Sequence, residues 1–121
     1  MSTLRVNTLQ DATGVGQPAM AGASKAWVNF NGTGTVAIRA AFNCSSVTDL
    51  GVGNYRVNFT IAMADTNYSV VTNSSYDNAA TGRLCSQDNR LGAKTTSQIF
   101  ISTDNQSAYV DSDQVGVAIF R

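Results

Sequence analysis

The chain contains no histidine and no glutamate, a single proline at Pro18, and only two cysteines. Without histidine, neither a Ser-His-Asp triad nor a Cys-His pair can be assembled. Cys44 and Cys85 belong to no paired Cys motif, so no metal or other cofactor is expected. Charge is scarce too. Charged residues make up 13% of the chain, well below the usual quarter. Eight Lys and Arg balance eight acidic residues and are scattered from Arg5 to Arg121. A nucleic-acid partner would call for a basic patch, so none is expected. No apolar run approaches membrane-spanning length, and no basic segment followed by an apolar stretch opens the sequence. Neither membrane insertion nor export by a signal peptide is expected, and folding in a cytoplasm is.

What is present is Asn, Ser and Thr for polarity and 43% hydrophobic residues for a core. Helix surfaces are normally built from Glu, Lys, Gln and Arg, whereas Thr, Asn and Ser favour strands and turns. The patterning agrees. Residues 54–63 alternate, with Tyr55, Val57, Phe59, Ile61 and Met63 on one face and Arg56, Asn58 and Thr60 on the other. Residues 35–43 place Val36, Ile38, Ala40 and Phe42 together, and Cys44 continues that phase. Residues 25–30 form a third strand, with Val28 and Phe30 inward and Trp27 opposite them, at a subunit or stem interface. Asn31-Gly32-Thr33-Gly34 and residues 49–54 supply turns, so residues 25–63 read as an antiparallel meander.

After a polar turn at residues 64–67 a strand is expected at 68–72. From Asn73 to Lys94 the alternation fades. This stretch is either a short strand at 83–87 between two loops or one long surface loop. Strands resume at 95–102, 108–111 and 114–120, the last with Val115, Val117 and Ile119 in phase. Residues 1–24 read as an extended arm or stem, with a candidate strand at 4–10. Residues 25–121 read as one all-β domain of about eight to ten strands, an antiparallel β-sandwich or jelly-roll-like fold. Cys44 reads as a buried thiol acting as a small hydrophobe, with a bridge to Cys85 as the alternative.

The run Lys25-Ala26-Trp27-Val28-Asn29-Phe30-Asn31-Gly32-Thr33-Gly34-Thr35-Val36-Ala37-Ile38-Arg39 resembles a segment of bacteriophage tail-fibre and related virion proteins. The likeness continues through Phe42-Asn43, Ser45-Ser46-Val47-Thr48-Asp49, Gly53-Asn54-Tyr55 and Val57-Asn58-Phe59-Thr60. Thr3 to Gln10 also resembles fibre sequence leading into such a domain. Cys44 departs from the valine expected after Phe-Asn. The resemblance implies a virion location after assembly in the host bacterial cytoplasm, homotrimerisation, attachment to other virion proteins through the arm, and contact with a host surface glycan or protein. The alternative is a purely structural virion component, such as a fibre segment, collar or capsid decoration protein, that binds no ligand.

An enzyme is not expected. Asp77, Asp88, Asp111 and Asp113 are the candidates for a carboxylate pair in glycoside cleavage, but each reads first as a turn residue. Asp111-Ser112-Asp113 lacks the rest of a calcium loop. Saccharide recognition combines a ring for stacking with planar polar groups for vicinal hydroxyls. Tyr76, Asp77, Asn78, Arg83, Asp88, Asn89 and Arg90 supply those groups on the variable stretch, and form the candidate receptor- or glycan-binding loop.

Overall fold

The computed structural model describes residues 2–3, 23–77 and 82–121. Its strands, in chain order, are β1 (Ser24–Asn31), β2 (Ala37–Phe42), β3 (Cys44–Gly51), β4 (Asn54–Phe59), β5 (Ser69–Ser75), β6 (Leu84–Gln87), β7 (Gln98–Asp104) and β8 (Gln114–Phe120). They form two four-stranded antiparallel sheets, β2-β1-β8-β5 and β3-β4-β7-β6. The expected all-β sandwich is what the chain forms. Strands β5, β6 and β7 follow one another around the structure and β8 returns beside β5, a Greek key. Where β5 passes β6 between the sheets, the Thr72 hydroxyl donates to the Cys85 carbonyl at 2.6 Å.

The core comes from the inward faces of the four central strands. Ala26, Val28 and Phe30 of β1 and Val115, Val117 and Ile119 of β8 meet Tyr55, Val57 and Phe59 of β4 and Ile99 and Ile101 of β7. Burying each Val, Ile or Phe side chain contributes about 1.5–3 kcal/mol. Edge-to-face ring pairs close both ends, Phe30 with Tyr55 at 5.2 Å and Phe59 with Tyr68 at 6.0 Å between centroids.

Five readings of the alternation need correction. Ile38, Ala40 and Phe42 do not face the core; all of β2 is exposed. Arg39 is bulged out of the β1–β2 ladder, since Asn29 pairs with Ala40 and Phe30 with Ile38, and β2 has no neighbour on its other side. Phe42 lies opposite exposed Trp27, and ladder partners share a face. Second, the chain from 25 to 63 is not one meander, because it changes sheets at Asn43, whose φ of 52° turns it from β2 into β3. The Asn43 amide holds this corner by donating to the Lys25 and Ile61 carbonyls, both at 3.0 Å. Third, residues 49–54 are not all turn, because β3 runs to Gly51; as an edge strand it half-buries Cys44, Val47 and Thr48 without a clear alternation. Fourth, β4 ends at Phe59, so Ile61 leaves the ladder and is exposed while Met63 turns back in. Fifth, residues 108–111 form no strand, only an isolated bridge between Asp104 and Tyr109. The shorter alternative for 83–87 holds, as β6. The candidate strand at 4–10 lies outside the described residues.

Strand directions give the sandwich two unlike ends. Ser24, Phe120, the 60–68 connection and the corner at Asn43 share one end, here called proximal. The turns at 32–36 and 52–53, residues 76–77 and 82–83, and the 105–113 loop share the distal end. One phenol organises the distal end. Tyr55 is fully buried, and its hydroxyl lies 2.9 Å from both the Gly32 carbonyl and Asp111 Oδ1. Asp111 Oδ1 also accepts the Gly53 N–H at 2.8 Å, and the Gly32 N–H donates to the Ser112 carbonyl at 2.9 Å. Gly32 is required, since a Cβ there would stand 2.4 Å from the Tyr55 oxygen. At Gly53, with φ 69°, an added Cβ would stand 2.5 Å from the Thr103 carbonyl.

Tyr55→Phe is expected to lower stability by about 1–3 kcal/mol by leaving buried acceptors unsatisfied. Gly32→Ala should cost at least as much. Both should appear as a lower denaturation midpoint at unchanged slope.

Burial pushes the Tyr68 hydroxyl, which donates to the Thr95 carbonyl at 2.7 Å, up from 10.0 to about 12. Tyr55 is raised as well, by burial first and then by Asp111. Above pH 10 the unfolded chain loses phenol protons that the folded chain still holds, so stability falls with pH. The contribution of Tyr68 should be complete below pH 10 and lost as pH rises through about 12. Denaturation midpoints across that window should decline less steeply for Tyr68→Phe than for the parent chain.

Candidate functional site

The stretch expected to carry binding residues divides into two clusters separated by β6. Its four residues span roughly 13 Å. The first cluster sits at the distal end. The Arg83 guanidinium lies over the Tyr76 ring at 4.9 Å from its centroid. The Asp77 N–H donates to Asp113 Oδ2 at 3.2 Å, and the Gln114 amide donates to Asp77 Oδ1 at 3.3 Å. Tyr76 and Asp77 are exposed, so ring, carboxylate and amide all face water. Asn78 lies outside the described residues.

The second cluster lies on the outer face of the β3-β4-β7-β6 sheet. Asp88 begins the β6–β7 connection, where its N–H bonds the Phe100 carbonyl. Its side chain, only 13% exposed, accepts from the Ser102 hydroxyl and from Arg90 Nη2 at 2.7 Å. Burial alone would raise the Asp88 pKa, but the hydrogen bonds from Ser102 and Arg90 outweigh it and the pKa is lowered. Arg90 then runs distally. Its guanidinium approaches Asn54 Oδ1 at 3.4 Å and covers the Tyr109 ring at 4.4 Å from the centroid. Asn89 stays at the turn, accepting from the Gln87 amide at 2.7 Å.

Sequence reasoning missed Tyr109, Asn54 and Ser102. Tyr109 falls within the strand expected at 108–111, although a lone aromatic among Asn, Gln, Ser and Asp marks a loop tip. Nothing local ties Asn54 or Ser102 to Arg90; only the β4–β7 pairing, in which Asn54 opposes Ser102, brings them together. Beside Tyr109 lies an open cavity of about 300 Å³ lined by Asp104, Gln106, Ser107, Ala108 and Tyr109. Its loop is held by the Asn105 side chain, which accepts the Ser107 and Ala108 N–H groups, and Gln106 takes a φ of 74°.

Both clusters can therefore offer a ring, a guanidinium and amide or carboxylate oxygens to a polyhydroxylated or peptide surface. Of the aspartates weighed as a carboxylate pair, Asp77 and Asp113 are brought together at the distal end through the Asp77 N–H. Asp111 is engaged by Gly53 and Tyr55, Asp113 by Asp77, and Asp88 by Ser102 and Arg90. Among the described residues no group of three Cys or Asp side chains converges as metal ligands, and no helix is long and apolar enough to cross a membrane.

Cys44 and Cys85 are free, at opposite edges and towards opposite ends of the same sheet, so they lie more than three strand spacings, or roughly 14 Å, apart. That separation is beyond disulfide reach, so the bridge alternative falls. Burial pushes the Cys85 thiol up to about 12 and raises Cys44 as well. No family model, curated protein or solved structure matches this chain.

Alkylation at mildly alkaline pH should therefore leave Cys85 unmodified in the native protein and label both thiols in denaturant. Mass spectrometry of the labelled peptides checks this.

Proposed function

We propose that this chain is a module of a bacteriophage tail fibre, a homotrimer in the virion that contacts the host surface and performs no catalysis. The observation that carries this reading is the polarity of the sandwich. Ser24, where residues 1–23 join the sheet, lies at the proximal end, and that arm would attach to other virion proteins. Tyr76 with Arg83, and Tyr109 under Arg90, stand at the other end or reach it. A fibre tip needs that arrangement: attachment behind, recognition groups in front, on loops held by a rigid scaffold. The segment that resembles fibre proteins, residues 25–39, builds β1 and leads into β2. The ligand is a host glycan or surface protein, read by ring stacking and planar hydrogen bonding. Affinity comes from avidity, because three weak sites on one rigid body bind far more tightly than one.

The isolated protein should bind host cells. Tyr109→Ala and Arg90→Ala should each reduce cell-bound protein by at least about 10-fold, as aromatic and arginine anchors do. Their β-sheet circular dichroism should be unchanged. Full adsorption by both variants and by Tyr76→Ala, with failure of particles to assemble when the chain is deleted, would replace this reading with a purely structural virion role.

A further inference from the structure

The two outer sheet faces of this sandwich are chemically unlike. On the β3-β4-β7-β6 sheet the outward side chains of β3 and β4 form a polar network, with Leu84 of β6 an exposed apolar residue at the far edge. Arg56 donates to Asn58 and Thr48, and the Asn58 amide donates to Ser46 and Thr48. Such a face is satisfied by itself and by water. The β2-β1-β8-β5 sheet has no equivalent. One rank across it reads Phe42, Trp27, Ala118 and Val71, from ladder partners in succession. Trp27 is 40% exposed, Phe42 42%, Val71 58% and Phe120, one rank below, 36%. Half-solvated antiparallel sheets normally place polar residues outward, and this rank breaks the rule.

A groove of about 340 Å³ runs over β8, walled by Trp27 and Asn29 on one side and by Val71 and Asn73 on the other. Gly116 floors it. A Cβ there would meet the Asn73 amide oxygen, which lies across the gap. At one side of the sheet stands β2, unpaired on its outer edge and exposed at every residue, with Arg39 its only charge. Edge strands are normally blunted by charge, Pro or a bulge, and on β2 the bulge at Arg39 leaves Ala40, Ala41 and Phe42 without any of these.

We infer that the outer face of the β2-β1-β8-β5 sheet is the surface through which copies of this chain associate, the exposed β2 of one copy packing along the Trp27–Gly116–Val71 groove of the next. This rests on the proposed reading of the chain as a self-associating fibre module. A second copy is the occupant that fits. Knob and groove occur on the same molecule at different places, so the contact is head-to-tail and closes into a ring when the rotation permits. The surface carries no acidic residue and one arginine, which Asn29 already engages, so it selects no charged partner. Interface cores are depleted of charge and rich in aromatic residues in the same way. Four strands about 4.8 Å apart and about seven residues long make a face of roughly 20 by 24 Å. Side chains standing off it, together with both sides of β2, raise the accessible area toward the ~800 Å² per partner of a stable assembly.

Sedimentation equilibrium of the full chain, with Phe42→Asp and Val71→Lys as variants, tests this. Both positions point away from the core, so both variants should keep the parent circular dichroism. The parent should sediment as an oligomer and each variant should fall to the monomer, about threefold lower in mass for a trimer. A monomeric parent at micromolar concentration, or an oligomer that survives both substitutions, overturns the inference. Ala40→Cys and Asn73→Cys resolve the geometry. Mixed together they should form heterodimeric disulfides that neither forms alone, whereas preferential Asn73→Cys homodimers would mean face-to-face pairing and overturn the edge-to-groove contact. The two readings fail separately. An oligomer built through this face that does not adsorb to cells sinks host contact and leaves the interface standing; a cell-binding monomer does the reverse.

Discussion

A single buried hydroxyl fixes the distal architecture on which the candidate binding clusters depend. Tyr55 brings its ring into the core against Phe30 and delivers its proton between the Gly32 carbonyl and the Asp111 carboxylate. Through Asp111 it also reaches the backbone of Gly53. One side chain therefore ties the β1–β2 turn, the β3–β4 turn and the 105–113 loop to the hydrophobic centre. An unpaired acceptor at this depth is costly, so the three segments are held in register by the need to stay satisfied. Tyr109 and the cavity beside it belong to the loop so anchored.

The second constraint is that a sandwich of two four-stranded sheets has four edges. The strands that supply the core, β1, β4, β7 and β8, are flanked on both sides, while β3, β5 and β6 contribute half-buried positions and β2 none. Three of these edge strands are polar or short. Strand β2 is neither, and its apolar residues are unburied within one copy. A face that would be a liability in a lone domain is what the proposed assembly would cover, and that assembly would also make avidity available to the loops at the distal end.

The cluster around Asp88 and Arg90 shows how electrostatics is shared between distant segments. Asp88 is held as a carboxylate despite its burial, because Ser102 and Arg90 both donate to it. The same arginine, so oriented, lies flat on Tyr109. A charge, a hydroxyl and a ring from three separate stretches of chain become one surface.

Alternation along the sequence determined the fold class, the strands β1, β4 and β8 and most of the core, including Val28, Phe30, Tyr55, Val57, Phe59, Val115, Val117 and Ile119. Period-two patterning is a local property: each residue's inward or outward direction follows from its neighbours once a strand exists. Tertiary structure alone decided that β2 lies at an edge with Ile38 and Phe42 in water, that Asn43 carries the chain from one sheet to the other, and that β3 is a strand at all. It also decided that Tyr76 joins Arg83 while Arg90 joins Tyr109. Those outcomes depend on which strands pair across long stretches of sequence, and an edge strand has no second neighbour to impress a pattern on its residues.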